Sequence, residues 1–325
     1  MTAAPRATTK YEVGADGAGE RLDSWLAGRP AAGTRSQIAR AIADGLVLVN
    51  DRPAKAGQRL RAGEIVNVQT RTDSRTSGIV PEPIELDILH SDDDVIAVNK
   101  AAGMVVHPAV GNRSGTLVHA LLHLYPRASW PGDDERAGIV HRLDRDTSGV
   151  ILVARTVAAH EALAKQFRER TIEKEYLALV HGRVARAGAV DAAIGRHPTD
   201  RKRMSVAARR ARAAVTTYEP IESFPTATLL LVRPHTGRTH QIRVHLAASG
   251  WPIVADPLYG RGRGKSGRRA AGDAEGPTDL MPRLALHALR IGFDHPRTGK
   301  RMVVSAPRPP DLEATLRVLR RERSG

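Results

Sequence analysis

Residues 138–155 read GIVHRLDRDTSGVILVAR, a charged middle section with an apolar segment on each side. Ile139 and Val140 lead into the charged section, and the apolar run 150–154 follows it. Short apolar segments around a polar turn are typical of two buried strands. We therefore predict a strand, a charged turn over 141–149 and a second strand, with the rest of the chain arranged around them.

The charged turn places Asp144 close to Arg142 and Arg145. Nearby positive charge favours the ionised form of a carboxyl group, which can then serve as a nucleophile or a base. A structural network of salt bridges at a turn would give the same pattern of residues. Composition and spacing alone leave both interpretations open.

The sequence of this turn, HRLDRDTSG, resembles the catalytic motif of the RluA family of pseudouridine synthases, especially its RluD branch. Further motifs of that family follow the same order along the chain. They are NKAAGMVVHP (99–108), TIEKEYLALVHG (171–182), HPTDRKRMSV (197–206), RPHTGRTHQIRVHLA (233–247) and DPLYG (256–260). The chain departs from the family pattern at Ala101, where Pro is usual, at Arg145, where Lys is frequent, and at Ala255, where Gly is common. None of these is a residue that the family uses for chemistry.

The resemblance implies isomerisation of uridine to pseudouridine in RNA, in which the C1′–N1 bond breaks, the base turns and C1′ joins C5. By the same resemblance, Asp144 acts on the sugar, as nucleophile at C1′ or as base at C2′. Tyr176 packs against the base, and Arg243 pairs with the aspartate. Arg142 is the residue expected to enter the RNA and help to hold a flipped-out nucleotide. His107 is interpreted as a structural histidine.

For the fold, we predict an α+β catalytic domain of the pseudouridine synthase type, with a mixed, largely antiparallel sheet, and a small N-terminal S4 RNA-binding domain. Residues 1–18 are small and polar, which predicts disorder. The S4 domain is assigned to 19–70, a Ser-, Thr-, Gly- and Pro-containing linker to 71–83, and the catalytic domain to 84–325. Within the catalytic domain, Thr156 is placed to cap a helix with an apolar face.

Basic residues in three segments are candidates for RNA contact. Arg21, Arg35 and Arg40 belong to the S4 segment, where apolar residues at helical spacing predict two short helices. Arg238 belongs to the basic loop that precedes Arg243, and 196–212 carries seven basic residues and one acidic residue. Any of these could instead be a solvated basic side chain. The Gly-rich basic run 261–276 is predicted to be a flexible insertion.

Composition narrows the class of protein and its partners. The chain of 325 residues has a net charge of +15, which favours a polyanionic partner, and no cysteine, which excludes disulfides and thiolate chemistry. Aromatic residues are only 3%, which argues against extensive base stacking. The acidic turn 92–94 has no partner at ligand spacing in the sequence, so we expect no metal there. The isomerisation that the resemblance implies transfers no electrons, and the sequence has no phosphate-binding Gly loop, so we expect no cofactor.

Together these observations predict an enzyme that modifies structured RNA. We expect it to be cytoplasmic and monomeric, with no membrane segment. The S4 domain favours large-subunit ribosomal RNA as the substrate. The alternatives are a synthase acting on transfer RNA and a non-catalytic S4-type RNA-binding protein, although the presence of Asp144, Tyr176 and Arg243 argues against the second.

Overall fold

The computed structural model divides the chain into two compact units, one of residues 1–80 with 132–136 and one of residues 81–131 with 137–325. It describes residues 6–29, 35–71, 79–109, 111–126, 128, 130–131, 137–200, 202–208, 210–260 and 280–324. The insertion predicted at 261–276 and residues 72–78 of the predicted linker lie outside the described residues.

The first unit packs two helices against a four-stranded sheet in the order β1-β4-β2-β3. The strands are β1 (Arg6–Glu12), β2 (Val47–Val49), β3 (Arg52–Pro53) and β4 (Ile65–Arg71). The helices are α1 (Leu22–Ala27) and α2 (Arg35–Ala43), and Ala15–Gly17 form a short 3-10 helix. Leu22, Leu26 and Ile38 are buried between helices and sheet, which confirms the predicted helical spacing.

The prediction that residues 1–18 are disordered is wrong for 6–17. β1 pairs antiparallel with β4 along its whole length, from Arg6 opposite Arg71 to Glu12 opposite Ile65. The side chain of Tyr11 meets Trp25 edge to face, with ring centroids 6.4 Å apart. A polar segment is ordered here because the open edge of β4 supplies backbone hydrogen bonds and Trp25 supplies apolar surface, neither of which composition reveals.

The second unit contains a nine-stranded sheet and a separate three-stranded sheet. In chain order its strands are β5 (Asp87–Ser91), β6 (Val95–Lys100), β7 (Ser148–Ala154), β8 (Glu173–His181), β9 (Gly188–Asp191), β10 (Ile194–Arg196), β11 (Met204–Ser205), β12 (Ala211–Arg212), β13 (Val215–Ser223), β14 (Ala227–Pro234), β15 (Leu286–Asp294) and β16 (Arg301–Ser305). The large sheet runs β5-β6-β7-β15-β8-β14-β13-β9, with β16 also paired to β15. The small sheet has the order β11-β10-β12, and we call residues 194–212 the basic ribbon.

All pairings in the large sheet are antiparallel except that of β7 with β15, where His287 lies opposite Ser148 and Ala288 opposite Gly149. The predicted mixed, largely antiparallel sheet is thereby confirmed. The parallel pair lies inside the sheet, and it places the start of β7, directly after the charged turn, beside β15, whose other neighbour is β8.

Among the residues that the structure describes, the second unit contains four helices of a full turn or more. They are α3 (Leu117–Leu124), α4 (Val157–Glu169), α5 (Gln241–Ala248) and α6 (Pro310–Ser324). One core cluster joins β8 and β14 to α5 and α6 and includes Leu179, Leu230, Leu246 and Leu316. Within the described residues, none of the helices has the length and apolar character needed to span a membrane.

The predicted strand before the charged turn is reduced to a single bridge between Ile139 and Val153. A side chain takes the place of the missing strand: the backbone N–H of Leu152 donates to Nε2 of His141 at 2.9 Å. Ala154 N–H donates to the carbonyl of Gly138, whose φ of +75° turns the chain away from strand geometry. β7 is therefore satisfied at this edge without a paired strand.

The second unit begins before the predicted end of the linker at residue 83. Both carboxylate oxygens of Glu82 accept a hydrogen bond from Gly115 N–H, at 3.1 and 3.0 Å. The backbone N–H of Glu82 donates to the carbonyl of His119 in α3. These contacts fix residue 82 to the second unit.

Candidate active site

A cavity of about 500 Å3 opens in the second unit where three segments meet. The charged turn lines one side, the loop between β14 and α5 lines another, and β8 with the segment before it completes the wall. A volume in this range suits a small molecule or a single nucleotide. Asp144, Tyr176, Arg238 and Arg243, all predicted site residues, line this one space.

Asp144 meets Arg243 across the cavity. Nη1 of Arg243 donates to Oδ2 of Asp144 at 2.8 Å, and the guanidinium is nearly buried while the carboxylate is about one-fifth exposed. An ion pair shielded from water on one side is stronger than one at an open surface. Among the described residues, the other oxygen, Oδ1, receives no hydrogen bond. That oxygen is available to a substrate.

Asp256 holds Arg243 from the opposite side. Nε and Nη2 of Arg243 donate to the two oxygens of Asp256, each at 2.8 Å, and the carboxylate is completely buried. The backbone N–H groups of Leu258 and Tyr259 also donate to Oδ1 of Asp256. Burial opposes the charge of Arg243, but Asp256 and then Asp144 raise its pKa above the ordinary value. Arg243 therefore stays charged and fixed in orientation.

Tyr176 enters the cavity from β8. Burial raises the pKa of its hydroxyl well above the ordinary value, and the charge of Asp144 raises it further. The hydroxyl is consequently neutral at physiological pH and can donate a hydrogen bond. The ring offers an apolar surface to a planar group bound beside Asp144.

Comparison with known proteins identifies the family of this chain. The family model described as RNA pseudouridylate synthase matches residues 94–248, and the S4 domain model matches residues 20–66. The ribosomal large subunit pseudouridine synthase D of Neisseria meningitidis serogroup B is 42% identical over 305 residues, which are 94% of this chain and 80% of that relative. The chain belongs to the RNA pseudouridylate synthase family. It is thus an RNA pseudouridine synthase, an isomerase, as the sequence predicted.

A second relative and a solved structure agree with this assignment. The synthase D of Xanthomonas campestris pv. campestris is 44% identical over 306 residues, covering 94% of this chain and 90% of that relative. The structure of human RNA pseudouridylate synthase domain containing 1 is similar with a TM-score of 0.57 and 28% identity. That similarity covers 72% of this chain and 89% of the human one.

The mouth of the synthase cavity is cationic. Four of its arginines are exposed, and Arg238 is half-buried, with its Nε donating to the carbonyl of Ala213 at 3.2 Å. The exposed ones are Arg142, Arg168, Arg170 and Arg212. Burial lowers the pKa of Arg238, and the charges of Arg212 and Arg170 lower it further. Such a cluster favours a polyanion at the mouth of the cavity.

The arginine pair expected to flank Asp144 is not what holds it. Arg145 turns to its neighbour Asp146, with contacts of 2.9 and 3.1 Å, and Arg142 is exposed at the cavity mouth. The cation on Asp144 is Arg243, 99 residues further along the chain. Sequence proximity misled here because side chains of adjacent loop residues point in different directions.

A buried lysine supports the loop that carries Asp144. Nζ of Lys100 donates to the carbonyls of Ala101, Met104 and Arg145 at 2.7, 2.9 and 3.0 Å. Burial lowers its pKa to about 7, against the opposing charge of Asp146. Three carbonyl acceptors match the three protons of an ammonium group, so Lys100 ties the loop after β6 to the charged turn.

The predicted S4 residues differ in how far the structure defines them. Nε and Nη2 of Arg21 both donate to Asp23 at 3.0 Å, although half of the Arg21 side chain is exposed. Arg35 and Arg40 lie on α2, and their side chains are outside the described part of the chain. Arg21 must share its charge between Asp23 and any phosphate.

The acidic turn has a partner that the sequence did not reveal. Asp92, Asp94 and His295 place three potential metal-ligand atoms within 4.8 Å of one another. Arg297 donates to both oxygens of Asp94, and His90 and His295 both contact Asp92 Oδ2. His295 comes from the turn after β15, about 200 residues away in sequence.

Two further residues of the cavity, and a third that contacts one of them, were not predicted as site residues, although each belongs to a quoted motif. Lys174 donates from Nζ to the carbonyl of Thr236 at 3.2 Å, and burial lowers its pKa to about 8. His240 approaches Asp144, with 3.9 Å between Nε2 and Oδ2. Tyr259 contacts His240 Nδ1 through its hydroxyl at 2.9 Å. The motifs marked these positions, but residue types alone did not indicate which side chains meet.

Proposed function

We propose that this synthase isomerises specific uridines to pseudouridine in large-subunit ribosomal RNA, with Asp144 acting on the sugar of a flipped-out nucleotide. The observation that carries the proposal is the contact between Asp144 and Arg243 inside a cavity of nucleotide size. Asp144 presents Oδ1 to the sugar while Arg243 holds Oδ2. This geometry accommodates attack at C1′ and proton removal at C2′ equally.

Other residues of the cavity fit the remaining steps. After the C1′–N1 bond breaks, the uracil must stay bound while it turns, and the ring of Tyr176 gives it a surface to turn against. The neutral hydroxyl of Tyr176 can donate a hydrogen bond to the base or assist proton transfer at C5. Arg243 stabilises the carboxylate of Asp144 before and after the sugar reacts.

A folded RNA must release its uridine before the base can reach Asp144, because a paired and stacked nucleotide cannot enter a cavity of single-nucleotide size. The exposed guanidinium of Arg142 stands at the mouth, where it can occupy the space that the flipped nucleotide leaves. The neighbouring arginines, with Arg238 among them, can bind the flanking phosphates.

The ribosomal substrate is proposed from the relatives and the domain composition. The relatives from Neisseria meningitidis and Xanthomonas campestris are named ribosomal large subunit pseudouridine synthases, and they align over most of their length. The S4 domain and the basic ribbon add contacts suited to a large structured RNA. A monomer acting in the cytoplasm on ribosomal RNA completes the proposal.

Replacing Asp144 by Asn tests the chemical role. The amide has nearly the same shape but cannot be an anionic nucleophile or base, so we expect loss of at least about 1,000-fold in turnover with RNA binding nearly unchanged. Tritium release from C5-labelled uridine RNA measures turnover, and thermal melting reports the fold. The matched control is Asp93→Asn, at an exposed carboxylate outside the cavity. Appreciable turnover by Asp144→Asn would contradict the assignment.

Mapping pseudouridine across total RNA tests the substrate. Sites lost from a strain lacking this protein, and restored by the wild type but not by Asp144→Asn, identify the target. We expect all of them in large-subunit ribosomal RNA. If they lie in transfer RNA instead, the ribosomal part of the proposal fails while the chemistry stands.

A further inference from the structure

Two hydrogen bonds and one longer polar contact link the basic ribbon to Asp144. The backbone N–H of Met204, in β11, donates to the hydroxyl of Tyr259 at 2.7 Å. That hydroxyl contacts Nδ1 of His240 at 2.9 Å, and Nε2 of His240 faces Oδ2 of Asp144 at 3.9 Å. Each of these groups is at least partly shielded from solvent.

The direction of the hydrogen bonds follows from the partners available. Because the Tyr259 oxygen accepts from Met204, its own proton needs an acceptor, and Nδ1 of His240 is the one within reach among the described residues. Burial raises the pKa of Tyr259, so the hydroxyl keeps its proton. A neutral imidazole that accepts at Nδ1 carries its proton on Nε2. The proton is then on the ring nitrogen that faces Asp144, at 3.9 Å from Oδ2, which is an electrostatic contact longer than a hydrogen bond.

Two features restrict the orientation of the His240 ring, namely its backbone conformation and its contact with Tyr259. Its backbone has φ +55° and ψ +20°, the left-handed region that costs a non-glycine residue about 1 kcal/mol or more, at the start of α5. The ring lies edge to face with Tyr259, at 5.7 Å between centroids. Burial lowers the pKa of His240 below its ordinary value, against the charge of Asp144, so the ring is neutral at physiological pH.

We propose that Tyr259 and His240 are positioning residues, which orient the Nε2–H of His240 toward Oδ2 of Asp144 and anchor that orientation to the basic ribbon through Met204. This inference rests on the proposed function of Asp144. Arg243 and His240 both address Oδ2, which leaves Oδ1 directed at the sugar. The relay adds a neutral donor where a second full charge would weaken the carboxylate as a nucleophile or base.

Two substitutions break the relay at different links. Tyr259→Phe removes only the hydroxyl and keeps the ring beneath the guanidinium groups of Arg203 and Arg243, at 5.4 and 5.1 Å. His240→Asn tolerates the left-handed backbone and keeps an acceptor near Tyr259, but its amide is too short to reach Asp144. His240→Gln restores a donor at the distance of Nε2.

Single-turnover tritium release at saturating large-subunit RNA transcript, with the dissociation constant measured separately, is the kinetic test. We expect Tyr259→Phe and His240→Asn each to lower the rate constant about tenfold, with affinity unchanged within about twofold. The double variant should be no slower than the slower single variant, since both break one relay. His240→Gln, which has a donor at the distance of Nε2 but no acceptor for Tyr259, should recover part of the rate that His240→Asn loses. Tyr125→Phe, which removes a hydroxyl outside the cavity, is the matched control.

Wild-type rates in either single variant, additive losses in the double variant, or no recovery in His240→Gln would each overturn the relay. The proposed function is judged separately, by the turnover of Asp144→Asn and by the mapped pseudouridine sites, and neither measurement depends on His240 or Tyr259.

A measurement without activity keeps the inference testable if a variant folds poorly. Nitrogen-15 shifts of labelled histidine in the wild-type protein, with His240 assigned by its loss in His240→Gln, show which ring nitrogen carries the proton. The relay requires a neutral ring protonated at Nε2, and Tyr259→Phe should shift the population toward the Nδ1-protonated form. A ring protonated at Nδ1 in the wild type would contradict the proposed direction of the hydrogen bonds.

Discussion

At the scale of single residues, the site depends on one guanidinium shared between two carboxylates. Arg243 uses Nε and Nη2 for Asp256 and Nη1 for Asp144. Burial disfavours the charge of Asp256, but its hydrogen bonds and the charge of Arg243 hold its pKa below the ordinary value. Asp256 therefore orients the cation that orients Asp144, without contact to a substrate.

Replacing Asp256 by Asn should destabilise the protein and slow the reaction. Arg243 loses its bidentate anionic partner in a buried position, a change that costs about 3 kcal/mol in other buried ion pairs. Chemical denaturation measures the free energy of unfolding, and tritium release measures turnover. Asp191→Asn, at an exposed carboxylate, is the control. Unchanged stability and turnover in Asp256→Asn would show that Arg243 is positioned by Asp144 and the fold alone.

Residue types and family motifs were enough to bring Asp144, Tyr176 and Arg243 into one candidate site, and the structure places them around one cavity. They were not enough to find Asp256 or Tyr259, although both lie in the quoted motif DPLYG. A buried aspartate and a buried tyrosine have ordinary structural uses. Their roles become visible only when distances to Arg243 and His240 are known.

His141 predicts a dependence of stability on pH. Burial lowers the pKa of its ring to about 3, whereas an unfolded histidine titrates near ~6.5. Between these values the unfolded chain binds the extra proton, so acidification lowers the free energy of unfolding by up to about 1.4 kcal/mol per pH unit. His141→Gln keeps an acceptor for Leu152 N–H but does not titrate. Denaturation between pH 4 and 7 should give a shallower slope for His141→Gln, and equal slopes would contradict this account.

At the scale of elements, β1 shows how an edge strand can order a polar segment. Shortening the chain so that it begins at Val13 removes the partner of β4 and exposes the ring of Trp25. We expect amide hydrogen exchange in β4 to accelerate at least about tenfold, because the truncation removes its outer hydrogen bonds and its apolar cover. The amides of β14, in the second unit, are the internal control. Unchanged protection of β4 would mean that β1 adds nothing to the first unit.

Local sequence patterns predicted a helix correctly where its contacts join residues that are close in sequence. In α4, the Thr156 side chain accepts from Ala159 N–H at 3.1 Å, and Ala159 and Leu163 are fully buried, as their spacing indicated. Pairing between distant segments was not predictable in the same way. Nothing local indicates that β7 pairs in parallel with β15, which lies 139 residues further on, or that a histidine side chain replaces a strand beside β7.

At the scale of the whole molecule, the charge and the domain composition bear on which unit binds RNA and which carries out the reaction. The net charge of +15 is spread along the chain, and both units contain arginines suited to phosphate binding. The cavity with Asp144 belongs entirely to the second unit, whose sheet and helices form its own core. The first unit, matched by the S4 domain model, has a separate core. Binding and chemistry should therefore be separable by truncation.

Removing residues 1–80 should weaken RNA binding while the chemical step persists. Each phosphate-binding side chain removed with the S4 domain should flatten the slope of log affinity against log salt by about 0.7 to 0.9. At saturating RNA the single-turnover rate should stay within about threefold of that of the full chain, because Asp144, Arg243 and Asp256 remain in place. Thermal melting must first show that the shortened protein is folded. If a folded truncation loses its single-turnover rate, the S4 domain contributes to the active site, and binding and chemistry are not divided between the units.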